Sequence, residues 1–522
     1  MSAEQLLTKY DFEKFIWKPI GTTTDESRCF ARPLAGAELA QDLYNRFENG
    51  NQTMFFAAYL DLARPQSDST LIAAARAAWI SIRFEVPVVA TAIEVGEDDV
   101  PMLKYRVPDA DQVKGWANRT LVVHHRPALD LNRLREELGA QKIPSTEGDQ
   151  TWMHLVAGSS NSTVPVSRIG FIFHTHHAVT DGNGSKIIVN RYLAEFAARL
   201  VDAEKVSASD LPWGTEVKNL TPAIFNVLGS SEPIPIPPSS HKEPTFAHPL
   251  YATLGGELQT IGESLKNQHG FKPRDVDPGW PTATAQRTEL IFSPEESKSL
   301  LGHMKQEPYT LTVLAHAALA MVTMFYNPAT EDTAKLFMNN FCMFDVRPRL
   351  KAPYTGKGYT GYALAPPVLR LPVSRFLASD GTPLPLNRGL LTELMDEIRD
   401  RYAAHKQRAV AYVAQASDMF AYGMKQGYAA NYLPPNQCYM FSSDGRGETY
   451  LNSAFQDANG NAAFKLSKFF TSINHPHPAP YFRLSSWNGI VDIAADFNGN
   501  LLSAEDANMY LAKWKEFMFL IV

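Results

Sequence analysis

Residues 168–175 read Arg-Ile-Gly-Phe-Ile-Phe-His-Thr and are apolar on both alternating faces through their middle. A strand of this kind cannot turn one face to water and has to lie inside a sheet covered on both sides. It runs into a segment with two glycines, Gly182 and Gly184, and then into a helical stretch from about Gly184 to Val201. Glycine lets a chain turn sharply between two such elements. A buried strand feeding a helix in this way points to an α/β layered fold.

The rest of the chain carries the same alternation. Met54–Leu62 and Pro87–Ile93 are strand-like, and Asp68 is placed to cap a helix whose apolar stripe is Leu71, Ala75, Ala78 and Ile82. Residues 230–249 hold six prolines and read as an extended connector. Beyond it, Gln286–Phe292, Leu336–Val346, Gln437–Ser443, Phe469–Ile473 and Phe482–Phe497 are strand-like. Glu295–Met304, Tyr309–Phe325 and Leu390–Gly427 are helical, and a last helix starts near Ser503. Residues 371–389 and His475-Pro-His477-Pro read as exposed loops, Asp496–Gly499 as a strand-end turn, and His124-His125 as polar residues at a sheet edge. The expectation is two α/β halves, residues 1–215 and 285–522, joined by a linker over 216–284.

Composition excludes several classes. The 522 residues carry 49 Lys and Arg against 55 Asp and Glu, a net charge of −6 without a basic stripe, which argues against nucleic acid as partner. Cys29, Cys342 and Cys438 lie far apart and form no CxxC pair, as expected of buried thiols in a reducing compartment. The N-terminus is interrupted by Glu4, Lys9, Asp11 and Glu13, so it lacks the apolar core of a secretory signal. No apolar run is long enough to span a membrane. A soluble cytoplasmic protein without a membrane partner is expected. GxGxxG and GxxxxGK[ST] are absent, and Gly158-Ser159-Ser160 is not a GxSxG elbow.

The densest chemical signal is His174-Thr175-His176-His177-Ala178-Val179-Thr180-Asp181-Gly182-Asn183-Gly184, at the strand-to-helix turn. Three readings compete. One histidine is a general base for a hydroxyl or amine, suited by its near-neutral pKa, with Asp181 orienting the loop. Alternatively the cluster binds a metal, although the Asp is later than in metallohydrolase patterns and no His follows it. Or the histidines are packed core residues.

His176-His177-Ala178-Val179-Thr180-Asp181-Gly182 resembles the HHxxxDG motif of the chloramphenicol-acetyltransferase-like superfamily, which includes BAHD acyltransferases and condensation domains. Asp345-Val346-Arg347-Pro348-Arg349-Leu350, with Gly356 or Gly361 after it, is similar to the DxRxRL…G element of its second half. Size, the segment 77–90 and the turn Ser442-Ser443-Asp444-Gly445 are most similar to fungal acetyltransferases of the trichothecene 15-O type. The chain lacks the Asp-Phe-Gly-Trp-Gly element of plant members.

The resemblance implies two half-domains around a central tunnel. His177 would be the base, Asp181 would pair with Arg347 to hold the loop, His176 would be structural, and Gly182 would permit the close turn. His174 matches no family position and is read as core. Ser442 and Ser443 are candidate oxyanion donors, or else simple turn residues. The implied function is an acyl-CoA-dependent O-acyltransferase, acetylating a hydroxyl of a hydrophobic secondary metabolite such as a terpenoid. Acetyl-CoA would be a co-substrate, with no permanently bound cofactor and no metal, and the protein a monomer. The alternative is a condensation-type or cyclising catalyst using the same His with a carrier-bound or non-thioester substrate.

Overall fold

One stretch of the second half is built into the sheet of the first, and this places the candidate site. The structure is a computed structural model that describes residues 12–20, 28–96, 99–158, 164–201, 208–229, 267–271, 285–341, 343–365, 368–407, 421, 423–430 and 438–522. The first half contributes strands β1 (Met54–Gln66), β2 (Leu121–His125), β3 (Thr151–Ala157) and β4 (Val166–Thr175). The second contributes β5 (Ala285–Ile291), β6 (Met440–Arg446), β7 (Ala454–Gln456), β8 (Ala462–Ile473), β9 (Tyr481–Trp487) and β10 (Ile490–Asn498). The larger sheet runs β7-β8-β1-β4-β3-β2 and the smaller β6-β9-β10-β5. The helices that matter are α1 (Ala37–Phe47), α2 (Asp68–Glu85), α3 (Gly182–Arg199), α4 (Leu311–Tyr326), α5 (Arg388–Gln407) and α6 (Ala504–Met518).

β4 occupies the central position that its two apolar faces demand, hydrogen-bonded to β1 on one side and β3 on the other. Ile169, Phe171 and Phe173 face the core shared with α2 and α3, while Ile172 packs on the opposite face with Phe55, Leu131 and Leu134. The second half has its own core, in which α4 is almost wholly buried against α5, α6 and the smaller sheet.

The strict division at 215 and 285 is corrected by this topology. β8 pairs antiparallel with β1, from Phe464↔Leu62 to Ile473↔Met54. Phe464, Leu466 and Phe469 find their apolar partners in the first-half core. Residues 216–229 are likewise no free linker. Glu216 is buried and accepts from Tyr105 Oη at 2.9 Å, Thr221 Oγ1 lies 2.9 Å from Thr360 Oγ1, and Tyr359 Oη donates to the Pro222 carbonyl at 2.9 Å. The proline-rich stretch 230–249 and Cys342 lie outside the described residues.

Other expectations shift locally. Ser67, rather than Asp68, caps α2, accepting from Thr70 N. Pro87–Ala90 is a 3-10 turn, consistent with a proline that fixes φ and lacks a donor, and the strand begins only at Ala92. The Leu336–Val346 region is two short strands, Phe337–Phe341 and Phe344–Asp345. Residues 482–497 fold back as a hairpin on Asn488 and Gly489, at φ 50° and 78°, a left-handed pair suited to a tight two-residue turn.

The His475-Pro-His477 segment is buried, not exposed, because it joins β8 of one sheet to β9 of the other. His475 Nε2 donates to the Ala479 carbonyl at 2.7 Å, and His477 Nε2 lies 3.1 Å from Glu48.

Helix α6 starts at Ser503, whose side chain accepts from Asp506 N, and docks through Trp514. Trp514 is fully buried and its Nε1 donates to the Ala315 carbonyl at 2.9 Å. Trp514→Ala should therefore cost about 3–5 kcal/mol of stability. Urea denaturation followed by circular dichroism measures this, and a loss below about 1 kcal/mol would mean that α6 is only loosely docked.

Candidate active site

The turn from β4 into α3 is held by one carboxylate. Asp181 caps α3, its Oδ1 accepting from Gly184 N at 2.7 Å. Its Oδ2 accepts from Ala363 N at 2.7 Å. Arg347 closes on both oxygens, Nη2 to Oδ1 at 2.9 Å and Nη1 to Oδ2 at 3.0 Å. Such bidentate, charge-assisted pairs are among the strong protein hydrogen bonds. Both side chains are completely buried.

Arg347 has five N–H donors, and each has an acceptor. Besides Asp181, Nε donates to the Tyr359 carbonyl at 2.9 Å, Nη2 to the Gly361 carbonyl at 2.6 Å, and Nη1 to Asp345 at 3.2 Å. Burial opposes the guanidinium charge, yet Asp181 and Asp345 drive its pKa above the usual arginine value.

The two glycines of the motif differ. A Cβ on Gly184 would lie 2.1 Å from Thr180 Oγ1 and 2.4 Å from the Thr360 carbonyl oxygen, so this position admits only glycine. A Cβ on Gly182 would meet nothing within 4 Å. Gly182 is not in a left-handed conformation either; it lines the cavity described below. The close approach expected of Gly182 is thus made by Gly184.

His177 is oriented by the same loop. Its Nδ1 lies 3.0 Å from the Thr180 carbonyl, which can only accept, so Nδ1 carries the proton and Nε2 keeps its lone pair. Thr180 Oγ1 in turn donates to the Thr360 carbonyl at 2.6 Å. Tyr362 packs on the imidazole, ring centroids 5.4 Å apart, and its hydroxyl is held by Gln41 Nε2 at 3.2 Å. Burial lowers the His177 pKa below its ordinary value, opposed by the Thr180 carbonyl and Asp181.

His176 is tied into the loop: its Nδ1 accepts from Ala178 N at 3.1 Å, and burial pushes its pKa down to about 3. His174 stacks on Phe55 at 4.5 Å and lies in the register of the sheet beside β1, away from the cavity. The three histidines do not converge.

His177 opens onto a cavity of about 350 Å³ between the two sheets. Gln41, Met54 and Gly182 line it from the first half, and Asp345, Tyr362, Ser442, Ser443, Tyr481 and Arg483 from the second. Ser442 Oγ donates to Asp444 Oδ1 at 3.2 Å, and Ser443 Oγ lies 2.8 Å from Thr312 Oγ1 on α4. The Asp444 carboxylate also receives Arg483 Nη1 at 3.3 Å, and its backbone carbonyl receives the buried Lys186 ammonium at 2.5 Å.

Sequence reasoning missed Tyr362, Lys186 and Arg483. Arg483 left a trace: in Tyr481-Phe482-Arg483-Leu484-Ser485 it is the charged residue on the polar face of an alternating strand.

The architecture and site together define the two-half fold of chloramphenicol-acetyltransferase-like acyltransferases. It is similar to the solved structure of TRI3 trichothecene 15-O-acetyltransferase from Fusarium sporotrichioides, with a TM-score of 0.82 at 17% identity over 98% of each chain. The first condensation domain of the calcium-dependent antibiotic synthetase superposes with a TM-score of 0.58, at 13% identity, over 94% of this chain and 95% of that one. Residues 12–355 match the family model described as 15-O-acetyltransferase Tri3, and the chain belongs to that family. Among curated relatives, acetyltransferase pigO of Monascus ruber is 24% identical over 54% of this chain and 52% of its own length. The chain thus spans about half the length of the first curated relatives it matches. Trichothecene O-acetyltransferase TRI3 of Trichoderma arundinaceum matches over 98% of both chains at 20% identity.

Three substitutions test the loop. Asp181→Asn removes the fully buried carboxylate that faces Arg347 and leaves only the partly exposed Asp345 to balance the guanidinium, which should cost about 3–5 kcal/mol. Gly184→Ala should destabilise by about 1–3 kcal/mol, as overpacking does, whereas Gly182→Ala should stay within about 0.5 kcal/mol of the parent. Thermal unfolding of the three variants checks the order; equal effects at the two glycines would contradict the packing described.

Proposed function

We propose that this chain is an acyl-CoA-dependent O-acetyltransferase acting on a hydroxyl of a hydrophobic secondary metabolite, with His177 as general base. The observation that carries this reading is the locked tautomer of His177: Nδ1–H is held by a backbone carbonyl, so the basic Nε2 is the nitrogen left for the cavity. Family membership and relatives named O-acetyltransferases support the acetyl group and the class of acceptor.

In this reading the acceptor hydroxyl donates its proton to His177 Nε2 while its oxygen attacks the thioester carbonyl carbon. The carbonyl π pair moves onto oxygen. Collapse of the tetrahedral intermediate expels the coenzyme A thiolate, which takes the proton back from His177, and no covalent enzyme intermediate is required. Asp181 and Arg347 are positioning residues that hold the loop and the imidazole. Gathering both reactants in one enclosed cavity supplies much of the rate. Of the two candidate oxyanion serines, Ser442 already donates its hydroxyl proton to Asp444. Ser443 Oγ lies 2.8 Å from Thr312 Oγ1, a contact in which either hydroxyl can donate, and with Thr312 as donor the Ser443 hydroxyl proton faces the oxyanion.

His177→Ala should lower kcat about 10²–10⁴-fold with acetyl-CoA and a hydroxylated terpenoid-like acceptor, while the far-ultraviolet circular dichroism stays unchanged. Near-parental turnover in that variant would sink the mechanism. The pH dependence follows from the lowered His177 pKa. Activity needs the neutral imidazole, which persists below the ordinary histidine range of about 6.5, so the acidic limb of kcat/KM should lie below pH 6.5. An acidic limb above that value would contradict a buried base. A requirement for a carrier-bound acyl donor, with acetyl-CoA inert, would transfer the reading to the condensation-type alternative.

A further inference from the structure

Arg483 sits on the cavity wall in an arrangement that no structural role accounts for fully. It is 7% exposed. It is the register partner of Ser442 across the parallel β6–β9 ladder, and its neighbours Phe482 and Leu484 point into the opposite core. Its Nε donates to Asp496 at 2.7 Å, and its Nη1 to Thr471 at 3.2 Å and to both Asp444 oxygens at 3.3 and 3.4 Å. Among the described residues, Nη2 makes no hydrogen bond to the protein, nor is it among the buried polar atoms lacking a partner. Arg483 and His177 line the same cavity, and Nη2 is the guanidinium nitrogen not engaged by the described residues of the protein.

The charge balance says what that nitrogen fits. The Arg483 charge is already matched by two carboxylates, Asp444 and Asp496, and Asp345 stands on the same cavity wall. A ligand group that arrives fully negative would meet those carboxylates. A neutral carbonyl that gains negative charge only as the reaction proceeds gains most from a donor fixed in advance, because no reorganisation is needed when the charge appears.

We propose that Arg483 Nη2 is the charged oxyanion donor of this site, hydrogen-bonding the thioester carbonyl oxygen of the acyl donor opposite His177. This rests on the acyltransferase reading above. As the acceptor oxygen bonds to the carbonyl carbon, the C=O π pair becomes an oxyanion lone pair that receives the Nη2 proton as a hydrogen bond. When the pair re-forms the carbonyl, the carbon–sulfur bond breaks and the thiolate leaves. Arg483 keeps its proton throughout and Ser443 is the second, neutral donor. Lys186, Asp444 and Asp496 position the guanidinium.

The probe is a ketone analogue of acetyl-CoA with methylene in place of sulfur, labelled with carbon-13 at the carbonyl. Bound to the parent protein, its carbonyl resonance should move downfield of the free position, as a polarised carbonyl does. The shift should survive in Ser443→Ala for the most part and be lost in Arg483→Lys, whose ammonium is drawn to Asp444 and Asp496. Kinetically, Arg483→Lys should lower kcat about 10²–10³-fold while KM for acetyl-CoA changes less than about threefold. An analogue that binds the parent protein with no shift overturns the assignment and leaves the acetyl-CoA reading intact. A shift retained in Arg483→Lys overturns it too, as does a shift abolished by Ser443→Ala. If neither the analogue nor acetyl-CoA binds the parent protein, the acyl-CoA reading fails and this assignment with it. The parent and Ser443→Ala spectra decide the matter even where Arg483→Lys does not fold.

Discussion

The buried pair between Asp181 and Arg347 is the contact on which the rest of the site depends. Asp181 belongs to the first half and Arg347 to the second, so the pair is also a bolt between the halves. It has every lone pair and proton accounted for, the condition under which buried charges are tolerated. Its reach extends beyond its own atoms. Arg347 gathers the carbonyls of Tyr359 and Gly361, between them the Thr360 carbonyl receives Thr180, and the Thr180 carbonyl fixes the proton on His177. The tautomer of the candidate base is thus set through a chain of four backbone carbonyls and one carboxylate.

A second polar network forms the facing wall. Lys186 of α3 reaches across to the Asp444 carbonyl, Asp444 meets Arg483, and Arg483 meets Asp496 of β10. Burial lowers the Lys186 pKa, with Asp444 opposing the shift. Burial raises the pKa of Asp444, but Arg483 and Lys186 more than offset this and leave it below the usual carboxylate range. Helix α3, which begins at the motif, therefore fixes both sides of the cavity: Asp181 at its cap holds one wall and Lys186, a little over one turn on, holds the other. Loss of registry in this one helix would disturb the surroundings of His177 and of Arg483 together.

Much of this was legible in the sequence where the signal is local. The two-faced apolar run at Ile169–Phe173 gave away the central strand, and the motif His176–Gly182 with Arg347 pointed to the pair that holds the loop. What stayed hidden depends on contacts between distant residues. Strand β8 has no composition that assigns it to the first-half sheet; only the match of Phe464 and Leu466 with that core does so. His477 is read as exposed beside prolines because its partner Glu48 lies 429 residues away. Gly184 and Gly182 look alike until the Thr360 carbonyl is seen against one of them. Ser442 and Ser443 stand out in the turn, but the turn does not show that Ser442 donates to Asp444 or that Ser443 lies against Thr312.

The fold neighbours include both an O-acetyltransferase and a condensation domain, so the shared architecture alone leaves the donor open. Whether this cavity takes its acyl group from coenzyme A is decided by calorimetric titration of the intact protein with acetyl-CoA. A coenzyme A donor requires saturable one-to-one binding in the micromolar range, competed by free coenzyme A. Absence of a binding heat across several temperatures, together with no displacement of a fluorescent coenzyme A conjugate, would contradict it.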